Sequence, residues 1–180
     1  LIIAIGGLHG TGKSTCAKAL AKTFNLKYVS AGEIFRKIAY EKGVSIEELS
    51  KLSEVDNSID LSIDEETKRE AECGNVVLEG QLTPWFTKNK ALKIYVIASK
   101  EERILRISKR DGLTLEEAEK ETLNREASER KRYKEYYGIN VNDLSIYDLI
   151  IDTGLFTKEE TIKILRKLVN SIKIYFKGDE

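Results

Sequence analysis

Apolar residues along this chain fall at two different spacings, and the alternation between them predicts its elements. Short unbroken apolar runs at residues 1–5, 27–29, 75–78, 92–98 and 148–151 read as strands, covered on both faces in the manner of a parallel sheet. Between them apolar positions recur every three or four residues. Cys16, Ala17, Leu20, Ala21 and Phe24 line one helix face after the first run, and Ile162, Leu165, Val169 and Ile172 line another near the end. Residues 31–73 carry only helical spacings, such as Ile34 and Ile38, or Ile46, Leu49 and Leu52. A second helical excursion at 111–138 is highly charged. Strand alternating with helix predicts a doubly wound α/β fold in a single domain over 1–180, a parallel five-stranded sheet flanked by helices. Both excursions leave from carboxyl ends of strands, where open α/β sheets take their ligands, so both are placed to close over one.

Composition narrows the partners. The 180 residues suffice for one such domain. Lysine plus arginine equals aspartate plus glutamate, so no global field points to nucleic acid or an anionic membrane, and binding must come from local charge. Cys16 and Cys73 lack metal-ligand spacing and read as reduced thiols, which points to the cytoplasm. The opening apolar run is too short for a signal-peptide core or a spanning helix. A monomer with neither nucleic-acid nor membrane partners is expected.

Residues 7–14 read G-L-H-G-T-G-K-S, the form G-x-x-x-x-G-K-[ST], directly after the first strand and at the opening of a helix. Gly7, Gly10 and Gly12 let successive backbone N–H groups converge on phosphate oxygens, with Leu8, His9, Thr11 and Thr15 supplying the rest of the loop around a nucleoside triphosphate. Lys13 reaches the β- and γ-phosphates as a point charge, and the Ser14 hydroxyl is placed to ligate the Mg²⁺ that bridges them. His9, the one histidine, points at triphosphate rather than at an acceptor and is read as a binding residue.

Other candidates stand at strand ends and on the charged helices. Ser30 and Gly32 open room after the second strand, and Arg36 can fold back as a phosphate clamp. Glu79 ends the third strand and could organise Mg²⁺-bound water; Gly80, Gln81 and Thr83 follow in a loop whose amide and hydroxyl can read a base edge. Trp85 reads as core or cleft wall. Arg103, Arg106 and Arg110 share one helix face, as do Arg125, Glu129 and Arg132. Such cations can stabilise charge on phosphates when a mobile element closes, and Arg106 and Arg110 are assigned to the nucleoside triphosphate. Arg103, Arg130 and Lys131 read as solvated surface charges, and Tyr133, Tyr136 and Tyr137 as packing. An anionic phosphate acceptor attacks without losing a proton, which fits the lack of an evident general base.

Taken together, G-G-L-H-G-T-G-K-S-T, S-A-G-E-I-F-R, V-V-L-E-G-Q-L-T-P-W, R-E-A-S-E-R-K-R-Y and Y-G-I-N-V-N-D-L-S-I-Y-D-L-I-I-D-T resemble the archaeal type of cytidylate kinase along nearly the whole chain. The resemblance implies the nucleoside monophosphate kinase variant of the P-loop NTPase fold, with 31–73 as the helical monophosphate-binding insertion and 111–138 as a short helical lid. It also implies ATP as donor, Mg²⁺ as cofactor and CMP or dCMP as acceptor. Arg36 would hold the acceptor phosphate, Arg125 and Arg132 the transferred group, and Glu129 would orient an arginine or the ribose. The chain departs from the family pattern in carrying Gln81 where arginine is usual and Pro84 where a small residue is usual. Three other readings stay open. Another P-loop kinase would act on AMP, UMP or a hydroxyl acceptor such as shikimate. A GTP-dependent switch would need D-x-x-G and N-K-x-D, whereas residues 89–92 read N-K-A-L. An RNA-binding module would use the basic run 125–134, which Glu126 and Glu129 interrupt.

Overall fold

The computed structural model describes residues 1–87 and 91–176, with side chains as far as Ile172; Asn89 and Lys90 of the N-K-A-L stretch lie outside the described residues. Five strands form one parallel sheet in the order β2-β3-β1-β4-β5: β1 (Ile2–Gly6), β2 (Lys27–Ser30), β3 (Val76–Glu79), β4 (Ala91–Ile97) and β5 (Leu149–Asp152). Each lies within one residue of its apolar run. In β1, β2, β3 and β5 the shift arises because pairing continues onto the polar or glycine residue that ends the strand, whereas β4 starts and ends one residue earlier than its run. Gly6, Ser30, Glu79 and Asp152 are all strand ends, and the register sets Ser30 beside Glu79 and Glu79 beside Ile5. The carboxyl edge is thereby lined with residues that can meet a ligand.

One face of the sheet is covered by α1 (Lys13–Phe24) and α8 (Lys158–Phe176), whose Cys16, Ala17, Leu20, Leu165 and Val169 pack on Ile3, Ile5, Val77, Leu92, Ile94 and Val96. The insertion consists of α2 (Ala31–Lys42), α3 (Ile46–Ser53) and α4 (Ser58–Cys73). It has its own small core of Phe35, Ala39, Leu49, Ile59 and Ile63. Ser30 caps α2, and a reciprocal Ser45–Glu48 pair starts α3, satisfying N–H groups that a helix start leaves open. A single turn, α5 (Thr83–Phe86), follows β3.

The second excursion is α6 (Lys100–Asp111) and the 23-residue α7 (Leu115–Tyr137). A Thr114–Glu117 capping box starts α7, and Gly138 in the left-handed conformation ends it. Its buried face is Ala118, Thr122, Glu126, Glu129 and Arg132, a stripe at helical spacing that is largely polar. Such a face needs charged partners rather than an apolar floor. Arg103 supplies one: it is 5 % exposed and holds Glu126 at 2.6 Å. The expectation that Arg103 is solvated is therefore corrected, since its charge is paired and buried. Lys131 and Arg130 are exposed, as expected. The tyrosines pack as read: Tyr136 Oη donates to the Ser53 carbonyl at 2.8 Å, and Tyr137 donates to Asp64 and stands edge-on to Phe86.

Candidate active site

The loop between β1 and α1 is shaped to leave donors open. Gly12, the residue before α1, has φ 90° and ψ 11° and gives no side-chain cap, so the first N–H groups of the helix lack the acceptor that Ser, Thr or Asp would provide there. No acidic residue lies in the first turn. This is the arrangement in which an anion completes the helix start. Gly10 has φ +79°, and a Cβ there would lie 2.6 Å from the Arg103 carbonyl oxygen, so only glycine fits. Thr11 Oγ1 and Lys13 Nζ both donate to the Leu8 carbonyl, at 2.8 and 2.7 Å. Burial pushes the Lys13 ammonium below its ordinary range, with Glu79 and Glu129 opposing. Ser14 and Thr15 are exposed at the helix start.

Behind the loop stands α6. Arg103 Nη1 donates to the His9 carbonyl at 2.9 Å, and Arg106 Nη1 approaches the Gly10 carbonyl at 3.4 Å. The His9 N–H is taken on the same side, by Glu126 Oε1 at 3.3 Å. Arg106 also donates to Thr153 Oγ1 and the Thr153 carbonyl at 2.9 and 3.0 Å, and to Glu102 at 2.9 Å, while Thr153 Oγ1 donates to the Thr11 carbonyl at 2.8 Å. The assignment of Arg106 to ATP is corrected accordingly: its fork of donors is spent on supporting the loop. Arg110 is exposed, and its guanidinium engages Asp111 at 2.6 and 2.7 Å.

On the acceptor side, Glu79 is 5 % exposed and accepts from Ser30 Oγ at 2.6 Å and Tyr28 Oη at 3.1 Å. Gly80 touches the insertion, since a Cβ there would lie 2.8 Å from Ala31 Cβ. Arg36 is exposed and folds back toward Gly32, with Nη1 at 3.5 Å from where a Cβ on that glycine would stand. Thr83 is buried and donates to the Gly80 carbonyl at 3.1 Å, so its one hydroxyl proton is spent on the loop and it retains only acceptor capacity. Gln81 turns its amide onto Glu129 at 2.6 Å.

Glu129 is the meeting point. Its carboxylate accepts from His9 Nε2 at 2.8 Å, Gln81 Nε2 at 2.6 Å and Arg125 Nε at 3.0 Å. Burial alone would raise this carboxyl, but His9, Arg125 and Arg132 around it bring it down to about 2. Burial lowers the His9 imidazole while the charge of Glu129 and its hydrogen bond oppose this, and Nε2 is the donor to the carboxylate. Arg125 gives Glu129 only Nε; among the described residues its Nη nitrogens take no hydrogen-bond partner, and the guanidinium lies 5.7 Å from the Phe35 ring centroid. Arg132 is different. It is 2 % exposed, donates Nε to Asp60 Oδ2 at 2.7 Å, and reaches Ser128 and Ser50 hydroxyls at 2.9 and 3.2 Å. The pairing of Arg125 and Arg132 as free cations on one face is thus corrected: the neighbouring α4 carries a buried acid that claims Arg132.

The donor set fits a magnesium–nucleotide rather than a resident metal. Among the described residues no group of three or more His, Cys, Asp or Glu could hold an ion, and Mg²⁺ with phosphate ligands needs only one or two protein oxygens. The exposed Ser14 hydroxyl offers one such ligand at the phosphate loop. Sequence reasoning missed Thr153, Glu126 and Asp60. Thr153 follows the last strand, the position already searched after β2 and β3. Asp60 and Asp64 stand four apart beside the apolar Ile59 and Ile63, a mixed face that marks buried acids.

An uncapped helix start behind a glycine loop, topped by two helical excursions at the carboxyl edge of a β2-β3-β1-β4-β5 sheet, defines a P-loop kinase. The architecture is similar to shikimate kinase from Acinetobacter baumannii in complex with shikimate, at a TM-score of 0.57 and 16% identity, covering 96% of this chain and 94% of that one; the likeness is one of fold. The chain belongs to the cytidylate kinase-like family, whose model matches residues 2–155. It is 48% identical over 170 residues to a cytidylate kinase of Staphylothermus marinus, covering 94% of this chain and 96% of the relative. It is 45% identical over 177 residues to a cytidylate kinase of Methanocaldococcus jannaschii, covering 96% and 99%. No described helix is long and apolar enough to cross a membrane.

Proposed function

We propose that this protein transfers the γ-phosphoryl group of ATP to CMP and dCMP, giving ADP and CDP or dCDP. The observation that carries the reading is the uncapped start of α1 beside Lys13, in a chain of the cytidylate kinase-like family. The donor triphosphate takes the open N–H groups of the loop, and Lys13 leaves the Leu8 carbonyl for the β- and γ-oxygens. Ser14 holds Mg²⁺, which when bound neutralises charge on the phosphates. Arg36 clamps the acceptor phosphate. Arg125 presents its unpartnered Nη nitrogens to the transferred group, where charge spreads over equatorial oxygens.

A phosphate oxygen of the acceptor forms the new bond to phosphorus as the bond to the ADP oxygen breaks, and no proton need leave the nucleophile. A hydroxyl acceptor would instead need a carboxylate to take its proton. Asp60 and Asp64 are held by Arg132 and Tyr137, and Glu79 already accepts from two hydroxyls, which favours the phosphate acceptor. A coupled assay of ADP formation across CMP, dCMP, UMP, AMP, GMP and shikimate tests the reading. CMP and dCMP should lead; AMP or shikimate ahead of CMP overturns the acceptor.

A further inference from the structure

His9 is bound from outside its own loop at three atoms. Its backbone N–H donates to Glu126 Oε1 at 3.3 Å, its carbonyl accepts from Arg103 Nη1 at 2.9 Å, and its ring Nε2 meets Glu129 Oε2 at 2.8 Å. Arg103 and Glu126 are themselves a buried pair at 2.6 Å, so the main chain of His9 is fixed and its ring has a defined origin. The ring then fixes Glu129. Oε2 of that carboxylate is shared by His9 and Gln81, while Oε1 is left to Arg125 Nε. With its plane set by these donors, the carboxylate determines the direction of the Arg125 fork, which closes on the Phe35 ring and leaves two nitrogens free.

We propose that His9 is a positioning residue for phosphoryl transfer, acting through Glu129 on the direction of Arg125 and exchanging no proton in the reaction. The inference rests on the role given to Arg125 above. Nε2 is turned to a carboxylate that can only accept, so it carries a proton and serves as a donor to Glu129 rather than as a base. The donor loop is thus wired to the arginine that serves the transferred phosphoryl group. Misplacing a reacting group by about an ångström costs on the order of 10²-fold in rate, which sets the scale of the effect.

The test is steady-state kinetics on His9→Ala, His9→Gln and the His9→Ala/Arg125→Ala double variant, with melting curves as a folding control. His9→Ala should lower kcat by about 10- to 100-fold while the KM for ATP changes by less than about 3-fold. His9→Gln puts an amide N–H where Nε2 stood and should restore most of kcat, because a donor is all that Glu129 requires. The double variant should be no slower than Arg125→Ala alone, since the two residues act in series. A glutamine variant as slow as alanine, or losses that multiply in the double variant, overturns the proposal. Should His9→Ala fold poorly, His9→Asn, whose amide is too short to reach Glu129, takes its place and should be equally slow. Each comparison is made with whichever acceptor the wild-type protein phosphorylates, so a wrong acceptor and a wrong role for His9 give different results.

Discussion

Arg132 of α7 and Asp60 of α4 are joined in the interior, Nε to Oδ2 at 2.7 Å, with 2 % and 5 % of the two residues exposed. The pair ties α7 to α4, and neither charge can be exposed to water without separating these helices. Removing one partner strands the other, which is worse than removing both. Arg132→Ala should therefore destabilise the protein by about 3–5 kcal/mol, and a double replacement by apolar residues of similar size should recover much of that. Denaturant melts of the single and double variants check this. An Arg132→Ala protein as stable as wild type would mean the pair is solvated in solution.

Arg125 should behave in the opposite way. It is partly exposed and has Nη nitrogens to spare, so Arg125→Ala should lower kcat by about 10³-fold while costing less stability than Arg132→Ala, since His9 and Gln81 still donate to Glu129. Lys131, six residues on, holds Glu54 at 3.0 Å at the surface, and Lys131→Ala should alter neither quantity measurably. Equal losses of kcat in the two variants would indicate a diffuse field of charge instead of a placed group.

Lys13→Ala should abolish transfer and leave the melting temperature close to wild type, because Nζ binds a loop carbonyl and supports no core residue. Near-normal kcat in that variant would refute the phosphate-loop assignment.

Asp64 carries a pH signature. Burial, with Asp60 adding to it, raises its carboxyl to about 7 against the hydrogen bond from Tyr137. The folded state therefore holds a proton that the unfolded chain, titrating near 4, releases. Between about pH 4 and 7 the native state binds more protons, so stability falls as pH rises through that window and levels off above it. Asp64→Asn removes the dependence. It should gain about 2–4 kcal/mol relative to wild type on going from pH 5 to pH 8. Parallel stability curves for the two proteins would contradict the burial argument.

The strands and the phosphate loop were legible because their signals are local: an apolar run of known length, and glycines at fixed offsets from Lys13. Even the strand-end positions of Ser30 and Glu79 follow from where the runs stop. The fate of the arginines was not legible. Arg132 finds its acid 72 positions away on another helix and Arg103 finds Glu126 across a helix boundary, so nothing near either residue in sequence tells a buried pair from a solvated charge. The balanced charge of α7 looks like surface for the same reason. Its positive and negative residues interleave whether they face water or complementary charge in the interior. Thr153 escaped notice because a lone threonine has no signature until the loop it supports is in place.

The support that Arg103, Arg106 and Thr153 give to the carbonyls of His9, Gly10 and Thr11 has a thermodynamic consequence for nucleotide affinity. Glycine-rich segments lose more conformational freedom on ordering than any others. Here that freedom is surrendered during folding, when the loop docks on α6 and on the end of β5. On the proposed function an incoming triphosphate meets a loop backbone already ordered, with Lys13 left to swing from the Leu8 carbonyl, and the entropy of ordering that backbone does not count against binding.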